Sequence, residues 1–95
     1  MIAHISGSIL DVRLNQLVID VGGIGYQVTV APELAADSRV GQSISLHTSL
    51  VVREDSWTLF GFSNADAKNL FEQLQSVTGI GPQVASALLA FYQPE

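Results

Sequence analysis

The hydrophobic period changes once along this sequence, at Ser63, and that change limits what the chain can fold into. Before it, apolar and polar residues alternate in the two-residue period of a strand with one buried face. After it, apolar residues recur at spacings of three and four, the helical period. In the first stretch Ile2, Ile5, Ile9, Leu10 and Val12 mark a strand, with Gly7 placed for a bend or bulge. Residues 17–21 form a β-branched run, and Tyr26, Val28 and Val30 then alternate with Gln27 and Thr29. Between these runs, Gly22-Gly23-Ile24-Gly25 supplies the positive φ of a hairpin turn. It lacks a following Gly-Lys-Ser/Thr, a following helix and the GxGxxG spacing, which argues against a nucleotide loop. Pro32-Glu33-Leu34-Ala35-Ala36 reads as one helical turn opened by proline. Residues 43–52 form a long strand with Ile44, Leu46, Thr48 and Leu50 on one face. Arg53-Glu54-Asp55-Ser56 is a polar turn, and residues 57–62 return as the last strand. Five short strands, with one helical turn between the third and fourth, predict a mainly β fold. Its architecture is a five-stranded OB-fold barrel over residues 1–62.

Residues 63–95 read as the start of an α-helical second domain. Ser63-Asn64-Ala65-Asp66 predicts an N-cap at Ser63 with an acidic residue three positions on, a variant of the capping box. Ala67, Leu70, Phe71 and Leu74 form one helical stripe, and Val84, Ala87, Leu88 and Phe91 form another. Thr78-Gly79-Ile80-Gly81-Pro82 separates them, with Pro82 suited to the first turn of the second helix. Helix, Gly-hydrophobic-Gly, helix is the pattern of a helix-hairpin-helix. Its glycines let backbone approach a phosphate, and its second helix offers free N–H groups and a positive dipole end. Such a site holds the backbone of DNA without reading bases. Gly79, Ile80, Gly81 and Gln83 are therefore the candidate phosphate-binding residues. The plainer alternative is an αα-hairpin whose glycines serve only the turn.

Charge makes the mode of binding matter. Four Lys/Arg against nine Asp/Glu give a formal net charge of −5 over 95 residues, which excludes a generally basic surface that holds nucleic acid by counterion release. With 47% apolar residues the chain is globular, and with no cysteine it has no disulfides, thiolate metal sites or Cys nucleophile. No stretch reaches the ~20 apolar residues of a membrane span, and the N-terminus does not read as an export signal. A soluble, cytoplasmic protein with no membrane partner is expected.

Glu54 and Asp55 are adjacent carboxylates at a turn, where acidic residues are ordinary. Such a pair can hold Mg²⁺ or act as acid and base, but no third acidic ligand can be placed beside it. No metal or cofactor is expected. His4 and His47 lie in strands without ligand spacing, and no serine sits in a nucleophile elbow. Trp57, Phe60 and Phe62 read as core or interface residues. Tyr26 is the one aromatic on the second and third strands and has no Lys or Arg beside it, so the barrel is not expected to grip single strands there.

Several blocks occur together and in order: Met1-Ile2 with Gly7 nearby, residues 19–26, Val51-Val52-Arg53-Glu54-Asp55, Leu59-Phe60-Gly61-Phe62 and Thr78-Gly79-Ile80-Gly81-Pro82. In combination they resemble the RuvA family of Holliday-junction-binding subunits, over essentially the whole chain. The resemblance implies an OB barrel followed by a domain with two helix-hairpin-helix motifs. A flexible link then leads to a small C-terminal domain that engages the ATPase motor RuvB. It implies a homotetramer, or an octamer of two such layers, on which a four-way DNA junction lies open and square, and action beside the resolvase RuvC. It places Glu54 and Asp55, with neighbouring Arg53, on an acidic pin at the centre of that platform. The family commonly has Lys after Gly-Pro, where this chain has Gln83, which weakens the expected phosphate contact. The second hairpin motif and the motor-binding domain have no counterpart here, so a fragment of a protein about twice as long is expected.

The leading expectation is thus a non-catalytic DNA-junction adaptor in recombination and repair. A self-assembly module without DNA contact is the alternative for the chain in this form. A hairpin-motif nuclease or glycosylase would need a catalytic cluster, and Lys68, between Asp66 and Glu72, reads as a solvated helix face.

Overall fold

The computed structural model describes residues 1–76 and Gly81. Its strands are β1 (His4–Val12), β2 (Gln16–Val21), β3 (Ile24–Thr29), β4 (Ser43–Val52) and β5 (Trp57–Phe62). A short helix α1 (Pro32–Ala36) lies between β3 and β4, and α2 (Ala65–Gln75) follows β5. The strands close into a barrel in the order β1-β2-β3-β5-β4. Neighbours are antiparallel except β3 and β5, whose parallel pairs Val28↔Leu59 and Thr29↔Phe60 seal the barrel. The expected five-stranded OB-type architecture with a helical extension is the one observed.

Alternation places the core. Ile5, Ile9, Leu17, Ile19, Val28, Val30, Leu46 and Leu59 fill the barrel, and Ala35 of α1 joins them. Thr48 points inward too, and its hydroxyl donates to the Ile2 carbonyl at 2.8 Å, so no buried donor is left unpaired there. The turn between β2 and β3 has Gly22 at φ 61° and Gly23 at φ 93°, a left-handed pair that matches strand twist. Asp20 Oδ1 accepts from the Gly23 N–H at 2.9 Å and steadies that turn.

Two local expectations are corrected. The irregularity in β1 falls between Ile9 and Asp11, not at Gly7, and it leaves Leu10 outside the barrel, 52% exposed. Gly7 instead allows close approach, because a Cβ there would collide with the Asp20 carbonyl oxygen on β2. The N-cap of α2 is Asn64 rather than Ser63. Its backbone is extended (φ −141°, ψ 160°) and its Oδ1 accepts from the Ala67 N–H at 2.8 Å.

A second, separate cluster lies on the outer surface of β4 and β5. Phe71 of α2 is fully buried there, with ring centroids 4.8 Å from Phe60 and 5.0 Å from Phe62. Val51 and Leu74 pack around them. Ser49 Oγ lies 3.0 Å from Glu72 Oε2 and ties the same two elements with a hydrogen bond. The first of the two expected helical stripes thus docks on the barrel through Phe71 and Leu74, and the second, Val84, Ala87, Leu88 and Phe91, lies outside the described residues.

Candidate nucleic-acid interface

The β4–β5 hairpin is longer than the barrel that holds it. On one side β4 pairs with β1 from Ser43 to His47, and on the other β5 meets β3 at Leu59 and Phe60. The outer pairs, Val51↔Thr58 and Val52↔Trp57, have no third strand beside them. The hairpin thus leaves the barrel as a two-stranded arm. The Arg53 N–H donates to the Ser56 carbonyl at 2.8 Å and closes its tip. Glu54 and Asp55 occupy the two positions between, with no positive φ among the described non-glycine residues.

All four tip residues, 53–56, are exposed. Among the described residues no salt bridge joins Arg53 to either carboxylate; the one ion pair is Arg13 with Asp11 at 2.9 Å. The tip therefore presents two carboxylates and one guanidinium to solvent. Among the described residues no group of three or more His, Cys, Asp or Glu could hold a metal ion. The neighbouring chemistry is apolar: below the tip, Val52 is 53% and Trp57 75% exposed.

Trp57 is the residue that sequence reasoning misplaced in part. Of the three aromatics read as core or interface, Phe60 is buried and Phe62 half-buried under α2, whereas Trp57 stands in solvent. Alternation puts it in the inward row with Leu59, but the barrel ends before that row does. Tyr26 packs against the barrel core. His4 and His47 face each other across β1 and β4 with ring centroids 5.4 Å apart, and below them the Ser6 and Ser45 hydroxyls are 2.6 Å apart.

The basic side chains are dispersed. Arg13 is paired with Asp11, Arg39 donates to the Ala36 and Ser38 carbonyls at 3.1 and 3.0 Å, Arg53 is at the tip and Lys68 is on α2. Of the hairpin-motif residues, Gly79, Ile80 and Gln83 lie outside the described residues, and Gly81 is half-buried.

These features define an OB-type barrel module that projects an acidic two-stranded arm and carries a helix on its outer wall. Residues 1–61 match the family model described as the RuvA N terminal domain, and the chain belongs to that family. It is similar along its whole length to proteins named Holliday junction branch migration complex subunit RuvA. The one from Salinispora tropica is 52% identical over 95 residues, which cover 48% of that protein. Those from Streptomyces griseus and Mycolicibacterium smegmatis are 50% and 44% identical, with 46% and 49% of their lengths covered. The chain thus spans about half the length of the curated relatives it matches.

Proposed function

We propose that this chain is the platform part of a non-catalytic subunit that binds four-way DNA junctions in bacterial recombination and repair. The observation that carries the reading is the acidic arm: a family match over the barrel coincides with two carboxylates held out beyond it, with no cationic partner among the described residues. Residues 1–62 are the barrel domain, and residues 63–95 begin a helix-hairpin-helix domain. Gly79, Ile80, Gly81 and Gln83 hold phosphates through backbone N–H groups, and Glu54 and Asp55, with Arg53 beside them, form the pin. Four copies around the junction centre bring four pins together. Phosphates are repelled from that point, so the junction lies open rather than stacked. ATP hydrolysis belongs to a separate motor, RuvB, and strand cleavage to the resolvase RuvC. The site of action is the bacterial cytoplasm, where the chromosome is.

The test compares binding of a labelled four-way junction and a linear duplex of matching sequence at ~50 mM salt, where phosphate contacts are strongest. The protein is taken at its full encoded length. Clear preference for the junction is expected. Equal affinity for both would overturn junction recognition, and binding to neither would replace this reading with the self-assembly module.

A further inference from the structure

Trp57 is the one aromatic among the large apolar side chains that the described residues leave exposed. A buried tryptophan brings about 150–250 Å² of surface to an interface, the largest share any side chain offers. Here it is 75% exposed, directly across from Val52, itself 53% exposed. The pair continues the inward row of Leu50↔Leu59 onto the free arm, where core contacts are absent. It lies one residue pair below Arg53 and Ser56 and immediately beneath the carboxylates.

Those carboxylates select among the parts of DNA that can come close. A phosphate is repelled by Glu54 and Asp55. A nucleobase is neutral, has an apolar π-face, and meets no such penalty. Next to an indole it gains stacking that tolerates any base, because every base has a π-face. We propose that Trp57, with Val52 behind it, is a stacking platform for an unpaired nucleobase at the crossover of the junction. The inference rests on the junction-binding reading above and adds an attractive contact to a tip whose two carboxylates outnumber its one guanidinium, Arg53. In this arrangement the carboxylates keep backbone away, and the indole holds the base that leaves its partner. The pin then stabilises an opened step instead of only disfavouring a closed one.

The experiment uses the protein at its full encoded length, with 5-iodouracil placed either at the crossover or deep in one arm of a four-way junction. Ultraviolet cross-linking joins this base to an aromatic ring stacked on it, and peptide mass mapping locates the adduct. A crossover adduct at Trp57, with none from the arm position, is expected. Trp57→Ala should weaken junction binding about 5-fold or more, and Trp57→Phe should keep most of it. Linear-duplex affinity should be unchanged in both variants. Trp57 is exposed, so neither substitution should disturb the fold, and thermal melts check this. A junction bound with no adduct at Trp57 and no loss in Trp57→Ala would overturn the stacking platform while leaving the junction reading intact. Loss of self-association in Trp57→Ala, seen by sedimentation without DNA, would assign the indole to a second copy of the chain and also overturn it. Absence of junction binding by the unsubstituted protein would remove both readings.

Discussion

Gly61 and Gly23 are both glycines in or beside strands, yet they are needed for different reasons. A Cβ on Gly61 would lie 2.6 Å from Val28 Cγ1 and 3.0 Å from Leu46 Cδ1, inside a filled barrel. Val28 is fully buried and β-branched, so it cannot swing aside. Gly61→Ala should therefore destabilise by about 1–3 kcal/mol through overpacking. A Cβ on Gly23 meets nothing within 4 Å, but φ 93° is a backbone state that L side chains rarely adopt. Gly23→Ala should cost about 1–3 kcal/mol through strain alone. Urea midpoints measure both, and Gly23→Asn separates the causes by recovering part of the loss, since Asn tolerates left-handed backbone. Only one of these roles is legible in the sequence. Consecutive glycines between β-branched runs announce a turn. The need for glycine in Leu59-Phe60-Gly61-Phe62 depends on Val28 and Val30, in and just past β3, and Leu46 of β4 filling the space opposite, and local pattern does not carry that. Gly7 is the same case: its neighbour in conflict is the Asp20 carbonyl, thirteen residues away.

At the scale of elements, strands and helices were legible because each has one buried face and a period that reveals it. The switch at Ser63 coincides with the end of β5 at Phe62 and the start of α2 at Ala65. What periodicity did not show is that β5 is buried on both sides over part of its length. Leu59 faces the barrel, while Phe60 and Phe62 face α2. The cap was read one residue early because Ser63 and Asn64 are both good caps, and tertiary geometry chose between them. Two substitutions test how α2 is held. Asn64→Ala removes the acceptor of the Ala67 N–H and should cost about 1 kcal/mol. Phe71→Ala empties the space between Phe60 and Phe62, a change that costs about 3–5 kcal/mol at fully buried phenylalanines. The barrel core is a separate cluster, so the expected result is local. Amide exchange should show lost protection across 65–75 with the strands still protected. Loss of protection in every strand would mean that the two clusters form one cooperative unit.

At the scale of the molecule, a net charge of −5 has to be reconciled with the proposed binding of a polyanion. The proposed phosphate contacts use backbone N–H groups, so the position of the charges matters more than their sum. Two carboxylates of the nine are held on a free arm where they have no cationic partner among the described residues, and burial contributes nothing to keeping them there. A turn that served only to join β4 and β5 would not require them. Their prominence depends on the arm, and the arm depends on β4 being longer than the strands beside it, which becomes visible only from the pairing register. In the fourfold assembly proposed above, copies of the tip would converge. A like-charge pair at ~4 Å costs about 1 kcal/mol in water and several times more at an effective dielectric of ~20. That repulsion acts on any phosphate that enters the centre, and on linear duplex laid across it more than on a junction whose centre is open. Glu54→Gln with Asp55→Asn keeps size and removes charge. In the full-length protein the double variant should bind linear duplex about 3–10-fold more tightly at low salt, with a smaller gain for the junction. The gain should shrink as salt shortens the Debye length from ~30 Å at 0.01 M to ~8 Å at 0.15 M. Junction and duplex titrations across that range measure both effects. Unchanged selectivity in the double variant, with both affinities still falling with salt, would show that the carboxylates do not shape the choice of DNA.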